Sequence, residues 1–403
     1  MYYIVPCCVY LTNRHIHIIL MFLTIDEVIM EFALDAGHAQ RAIKLLGITA
    51  KQNTSDFEGQ ILIKALEGEV LFISNNGDSG ISCRFPATIT TPGQLTVIFS
   101  KMKTFIMTFS PWDGECGIKD FIFLLEGSRL NVSAEIYNSN SHVTKANLKL
   151  ETQKPSTFIG EVLPQAPNLI LNSNIIKSAV EKSLYAIDNS SLQDFVRGLR
   201  VFVSGGEIKF TSTNGSVVSD YSVKNDSPLQ DGEYFLSYDF LSGLRRLSID
   251  DVQWFFELSR AKNILSFDNI VYWAKSSMYK EYPRYQDVFN FFDKTIVIDR
   301  DTILSGLSSM EDAWTTDDHN RLTLGLKEGN FILQTDHSLF ECPGMDDAIT
   351  FNVDVDGKDL LNTFRSMSDA FITLKLSEET RGIIAESKGF EDHRAFLVCL
   401  TRR

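Results

Sequence analysis

The sequence predicts an α+β fold carried three times in tandem, each unit having two helices on one face of antiparallel sheets. Three observations predict it. A short apolar strand, a turn and an amphipathic helix open at residues 32–46 (FALDAGHAQRAIKLL), 169–184 (LILNSNIIKSAVEKSL) and 296–310 (IVIDRDTILSGLSSM). Further along, each unit has a Gly-led strand, beginning at Gly68, Gly206 and Gly329. A second amphipathic helix follows in each, over residues 94–103, 239–247 and 358–367. The period of about 125 residues is too long for a solenoid and close to the size of one domain. A chain that repeats one fold three times uses it for shape rather than for a single catalytic pocket.

The elements follow in order. Residues 1–29 precede the first repeat without a counterpart in the other two. They are apolar and hold the Cys7-Cys8 doublet. They lack the basic start and small-residue cleavage site of a signal peptide, and the run 17–25 is too short to span a bilayer. This leader reads as an extension outside the fold, with Met30 as the natural start. The first domain spans 30–150. Residues 151–168, with Pro155, Pro164 and Pro167, read as a linker. The second domain spans 169–289 and the third 290–403. Between helices the pattern alternates as in β-strands, with turn signals at Asn76-Gly77, Gly205-Gly206 and Asn214-Gly215.

With 403 residues, 44% hydrophobic and 22% charged, the chain has ordinary globular composition. A net charge of −14 argues against nucleic acid unless the basic residues are segregated. Their positions therefore matter more than their total. The six cysteines have no metal or redox spacing and read as reduced cytosolic thiols, so a cytoplasmic location without metal or cofactor is expected. There is no P-loop, GxSxG, HExxH or paired-Cys motif, and Asp317-Asp318-His319 reads as a solvent-exposed loop. No enzymatic activity is expected.

The helices carry the functional signal. In the first, Ala39, Ala42, Ile43 and Leu46 form the buried stripe, with Arg41 and Lys44 off it. Lys101 and Lys103 lie off the Leu95/Ile98/Phe99/Met102 stripe. The second unit offers Lys177 and Lys182, then Arg245 and Arg246. The third offers Lys358 and Arg365. Five of six helices thus present paired cations while acids dominate elsewhere. Such a face can hold a phosphate backbone without reading bases.

From Met30 onward the chain resembles the β sliding clamp of bacterial DNA polymerase III. Met30-Glu31-Phe32 before a helix is similar to the clamp start. Residues 176–203 resemble the second-domain helix and strand of that family, and Thr213-Asn214-Gly215 sits where the family has Thr-Asp-Gly. Tyr282-Pro283-Arg284-Tyr285-Gln286-Asp287-Val288 is similar to its aromatic-Pro-x-Tyr-x-x-Val linker, and residues 395–402 resemble its apolar tail.

The resemblance implies a DNA-clamp fold and a head-to-tail homodimer ring around double-stranded DNA, bound without sequence preference. It implies a replicative polymerase and a clamp loader as partners, and no membrane. It also implies an apolar groove for partner peptides. One part of its lining would be Val196, Thr213, Gly215, Val217 and Val218. The linker would add Pro283 and Val288, and the tail Leu397, Cys399, Leu400, Thr401 and Arg402.

The family's His and Arg at the groove rim are absent, since Thr-Asn-Gly-Ser-Val-Val replaces Thr-Asp-Gly-His-Arg-Leu. Asp287 stands where an Arg is common. Such divergence suits a phage, plasmid or second clamp with its own polymerase. The alternative reading is a clamp-fold scaffold or decoy that binds polymerase or loader without closing on DNA. Unpaired sheet edges are expected near residues 129–135 and 311–314, where two chains would meet.

Overall fold

In the computed structural model the same order of elements, β-α-β-β-β-β-α-β-β-β, recurs three times, with one extra short strand in the first copy and one extra four-residue helix in the third. The structure describes residues 9–12, 15–18, 28–51, 57–138, 143–153, 158, 161–224, 231–247, 250–276, 282–290, 292, 294–314, 320–343, 350–377, 382–388 and 392–400.

In the leader, β1 (Val9–Thr12) pairs with β2 (His15–Ile18). The first repeat comprises β3 (Val28–Asp35), α1 (Ala36–Leu46), β4 (Gln60–Leu66), β5 (Glu69–Asn75), β6 (Ser79–Pro86), β7 (Thr88–Thr91), β8 (Gly93–Ile98), α2 (Phe99–Thr108), β9 (Gly117–Glu126), β10 (Arg129–Tyr137) and β11 (Val143–Glu151). The second comprises β12 (Leu169–Asn172), α3 (Ser173–Ser183), β13 (Gly198–Ser204), β14 (Glu207–Thr213), β15 (Val217–Lys224), β16 (Gly232–Ser237), α4 (Tyr238–Arg246), β17 (Gln253–Leu258), β18 (Lys262–Phe267) and β19 (Ile270–Lys275). The third comprises β20 (Lys294–Asp299), α5 (Arg300–Ser309), a four-residue α6 (Glu311–Trp314), β21 (Arg321–Lys327), β22 (Asn330–Gln334), β23 (Leu339–Pro343), β24 (Phe351–Asp356), α7 (Gly357–Ser366), β25 (Phe371–Ser377), β26 (Gly382–Lys388) and β27 (Asp392–Val398).

The repetition has local causes. The first helix of each repeat is capped at the same place. Asp35 accepts from the His38 N–H at 3.0 Å, Asn172 from Asn174 at 2.9 Å and Asp299 from Thr302 at 2.7 Å. Each cap satisfies a backbone donor that has no partner within its helix. Gly68, Gly206 and Gly329 have φ of 76°, 81° and 77°, a left-handed turn that glycine enters without steric cost. The buried stripe of α1, Ala39, Ala42, Ile43 and Leu46, falls where its spacing predicts.

Two boundaries differ from the sequence reading. Residues 94–98 are strand, not helix: Gln94 to Ile98 pair along β4 from Lys64 to Gln60. The β-branched run Thr96-Val97-Ile98 suits a pleated strand, and tertiary pairing overrides the helical spacing of Leu95, Ile98 and Phe99. β3 also begins at Val28, so Val28 and Ile29 join the sheet rather than the leader.

The chain divides into two compact units, residues 1–76 with 82–160, and 77–81 with 161–403. In the first, β11-β10-β9-β3-β7 form one sheet, and β8, β4, β5 and β6 lie side by side. In the second, β12, β17, β18 and β19 lie side by side, β23-β22-β21-β24 form a sheet, and β16-β13-β14-β15-β27-β26-β25-β20 form an eight-stranded sheet. That last sheet joins the second and third repeats. Its seam is the antiparallel pair β15–β27, from Val217↔Leu397 to Ser222↔Asp392.

Among the described residues, β10 is paired on both sides, so residues 129–135 are not an edge as expected. One edge of its sheet is β11, which begins at Val143, 48% exposed. Residues 311–314 are a helical turn whose Trp314 is fully buried, and one edge of the four-stranded sheet of the third repeat is β23, with Leu339 at 62% exposure.

Candidate nucleic-acid and partner surfaces

The cations sit unequally on the helices. α1 and α2 contain Arg41, Lys44, Lys101 and Lys103 and no acid. Arg41, Lys44 and Lys101 are exposed, and Lys103 lies half-buried with its ammonium 5.9 Å from the Phe99 ring. Among the described residues none of the four forms an ion pair.

On α4, Arg245 and Arg246 are exposed at the helix C-terminus, where a cation complements the dipole. Lys358 opens α7 and Arg365 closes it. Both are exposed, and Arg365 pairs with Glu311 at 3.4 Å. Arg245 and Arg365 line one cleft between α3, α4 and α7, together with Glu181, Tyr185 and Tyr238.

α3 departs from expectation. Lys182 is buried rather than on the solvent face, and its ammonium lies 4.3 Å from the centre of the Tyr221 ring. The reason is helical phase: Lys182 is three residues past Ala179, which puts it on the flank of the buried stripe. Lys177 is 22% exposed and held in an ion pair by Asp250. α3 therefore presents no open pair of cations and, with Arg365 of α7 engaged by Glu311, the count of such helices among the described residues falls from five to three, α1, α2 and α4.

The groove residues divide between the two faces of the seam. Alternation along a strand sends neighbours to opposite sides. Val217 and Leu397 are paired, buried, and packed with Ala186, Leu360 and Leu361 in the core of the third repeat; half-buried Cys399 packs there too. Burial pushes the Cys399 thiol up to about 11. These three face the interior of the third repeat.

The opposite face gathers Val218 and Phe396, also cross-strand partners, with Tyr282, Tyr285, Val288 and Phe289. Val398 is two residues beyond Phe396, on that same face, and 43% exposed. Val398 and Phe396, which the sequence reading did not name, lie on this face with Val218 and Val288. The apolar run Phe396-Leu397-Val398, in which one strand must send neighbours to opposite faces, was the signal that could have found them.

Thr213-Asn214-Gly215 is a turn that consumes its own polar groups. The Thr213 hydroxyl donates to the Val217 carbonyl at 2.7 Å, and Asn214 Oδ1 accepts from the Ser216 and Val217 amides at 2.9 and 2.8 Å. Gly215 has φ of 93°. Asn214 also donates to Asp359 at 3.4 Å, and burial raises the Asp359 carboxyl to about 6. The Val398 amide donates to Ser216 O at 2.9 Å, and the Leu400 amide to Asp354 O at 2.6 Å, which fixes the tail beside this turn. Val196 is buried and Pro283 exposed. Thr401, Arg402 and the Asp317-Asp318-His319 cluster lie outside the described residues.

A buried polar network underlies the apolar face. Asp220, 4% exposed, accepts from the Thr211 hydroxyl at 3.0 Å and the Tyr285 hydroxyl at 3.2 Å. Its other oxygen accepts from Arg394 Nε at 3.0 Å and Nη2 at 2.8 Å. On the helix side of the sheet, His393 Nε2 lies 3.1 Å from Ser219 Oγ, whose hydroxyl donates to the Lys182 carbonyl at 2.7 Å. The serine proton is thereby committed, so neutral His393 carries its proton on Nε2. Burial holds the imidazole down at about 3.

No family model matches the sequence, and neither does the sequence of any curated protein. Solved structures match throughout. The DNA polymerase III subunit beta of Pseudomonas aeruginosa is 15% identical, with a TM-score of 0.82 over 93% of this chain and 100% of that chain. The beta chain from Streptococcus pneumoniae is 12% identical with a TM-score of 0.80, and the beta subunit from Thermotoga maritima 10% identical with 0.79. Both cover 93% of this chain and 100% of theirs. The chain has the sliding-clamp fold.

Proposed function

We propose that this chain is a DNA polymerase III beta-type sliding clamp, a processivity factor and not an enzyme. Two copies close head to tail around double-stranded DNA, and the ring tethers a replicative polymerase. The observation that carries the reading is the match to whole clamp chains, three repeats in order, over 93% of this chain. The basic helices support it, since four cations without an acid on α1 and α2 stand out in a chain of net charge −14. Phosphate contacts of this kind are independent of sequence and let a protein slide.

The open edges suit closure. β11 of one copy pairs with β23 of the other, a heterologous contact that closes after two subunits. Val218, Phe396 and Val398 form the apolar floor, and Val288 a wall, of the groove that receives a partner peptide at the seam of the second and third repeats. Tethering there raises the polymerase's effective concentration at the primer end. A clamp loader opens and places the ring. A cytoplasmic location follows from this role, and among the described residues no helix is long and apolar enough to cross a membrane.

Light scattering at micromolar concentration tests the assembly. Twice the 45.5 kDa chain mass is expected, and a monodisperse monomer would overturn the ring. One observation favours the scaffold reading: Glu311 engages Arg365, and α5 adds only Arg300, itself paired with Asp301 at 3.0 Å. A dimer that never becomes topologically linked to DNA would decide for the scaffold.

A further inference from the structure

We infer that Asp220 is a positioning residue for the peptide groove. It acts through Tyr285 and Arg394 to hold residues 282–289 against the seam, so that Val288 stands as a groove wall. The inference rests on the groove proposed above and assigns what sets its geometry.

Residues 282–289 cannot hold that position by themselves. Their only helix is the single turn Gln286–Phe289, and one isolated turn is not stable in water. Tertiary anchors must supply the order. Tyr285 is the central one. Its ring packs edge-on with Tyr282 and Phe289, Phe289 packs in turn on Phe396, and the Tyr285 hydroxyl reaches Asp220 at 3.2 Å and Thr211 at 2.9 Å. The Thr211 hydroxyl also reaches Asp220, closing a triangle across β14, β15 and the segment.

Arg394, from β27, completes the network. It gives both Nε and Nη2 to Asp220 while its guanidinium lies 4.1 Å from the centre of the Phe289 ring. One carboxylate thus fixes both ends of the turn, through a hydroxyl at Tyr285 and a stacked arginine at Phe289. Val288 lies between them, and its amide donates to the Tyr285 carbonyl at 3.1 Å. A shift of Tyr285 carries Val288 with it.

The arrangement also explains why a charge is buried here. Apolar packing alone would stabilise the contact, but it is non-directional and would not fix the turn at one place on the sheet. A buried carboxylate satisfied by three side chains accepts one placement, because any other leaves it unpaired. Asp220 is two residues from Val218 on the same face of β15, so the same strand supplies the groove floor and the anchor of its wall.

The test is a double-mutant cycle read by fluorescence anisotropy of a labelled apolar Leu/Phe peptide on the full chain. Tyr285→Phe removes one hydroxyl and keeps the ring. It should weaken peptide binding about three- to tenfold, with the dimer mass unchanged. In a Val288→Ala background the same change should alter binding less than about twofold, since the hydroxyl acts through Val288. Asp220→Asn should show the same dependence on Val288. Equal losses in both backgrounds would mean a general structural role and overturn the inference. Absence of peptide binding by the wild-type protein would overturn the groove itself.

Discussion

α1 and α3 occupy the same place in successive repeats, have the same length of 11 residues, and each carries two cations. Their cations have different fates. On α1, Arg41 and Lys44 are exposed and, among the described residues, form no ion pair. On α3, Lys182 is buried over Tyr221 and Lys177 is held by Asp250. The cation count is equal, but the charge available to a ligand is not. A basic residue contributes to a binding face only when helical phase points it outward and no acid lies within reach.

Charge substitutions give the largest test of that difference. Replacing Arg41, Lys44, Lys101 and Lys103 with Ala should lower affinity for duplex DNA at low salt by roughly 100-fold or more. It should also flatten the plot of log affinity against log salt, by up to about 0.9 per lost phosphate contact. Lys177→Ala should move both quantities little, because Asp250 already neutralises it. Nitrocellulose-filter binding across a salt series would measure both. Equal effects from the two variants would remove the distinction between the helices.

The two faces of the seam form a second pair to separate. Leu397→Ala opens the core of the third repeat and should cost about 2–5 kcal/mol in denaturant unfolding. Val398→Ala, one residue on, should leave stability nearly unchanged and weaken peptide binding. A peptide affinity that falls for Leu397→Ala alone would return the groove to the other face.

Titration sharpens the comparison further. His393 is held neutral at about 3, well below the ordinary value of 6.5. Below pH 6.5 the unfolded chain takes up a proton that the folded chain refuses. Stability should therefore fall as pH drops from 6.5 toward 3, by at most about 1.4 kcal/mol per pH unit from this group. His393→Gln should shallow that slope in urea melts, and an unchanged slope would exclude His393 as its source.

Asp359 has the opposite sign and the smallest effect. Its carboxyl is raised to about 6, so the folded state holds the extra proton between about pH 4 and pH 6. Stability from this group is complete below that window and declines through it. Asp359→Asn should raise the melting temperature slightly at pH 7 and not at all at pH 4. A lower melting temperature at pH 7 would mean that the charged form is favoured at the start of α7.

Much of the fold was legible because its punctuation repeats. An Asp or Asn before each first helix and a glycine before each middle strand mark the units, for reasons of hydrogen bonding and backbone sterics. What escaped was decided by tertiary context. β11 reads as polar because most of its side chains are exposed, so it lacks the apolar alternation that announces a strand, and its neighbour β10 reads as the edge instead. In β27 a shift of one residue separates a core leucine from an exposed valine. The Asp220–Tyr285–Arg394 network joins residues up to 174 positions apart, and neither composition nor spacing signals such a contact.

Topological retention tests the central claim most directly. The protein is loaded with a clamp loader and ATP onto a nicked circular plasmid, then passed through a sizing column at high salt. A ring around DNA stays with the circle and is lost when a restriction enzyme linearises it. Retention on the circle and release from the linear form is the predicted result. Equal release from both would contradict encirclement and leave a clamp-shaped protein that does not close on DNA.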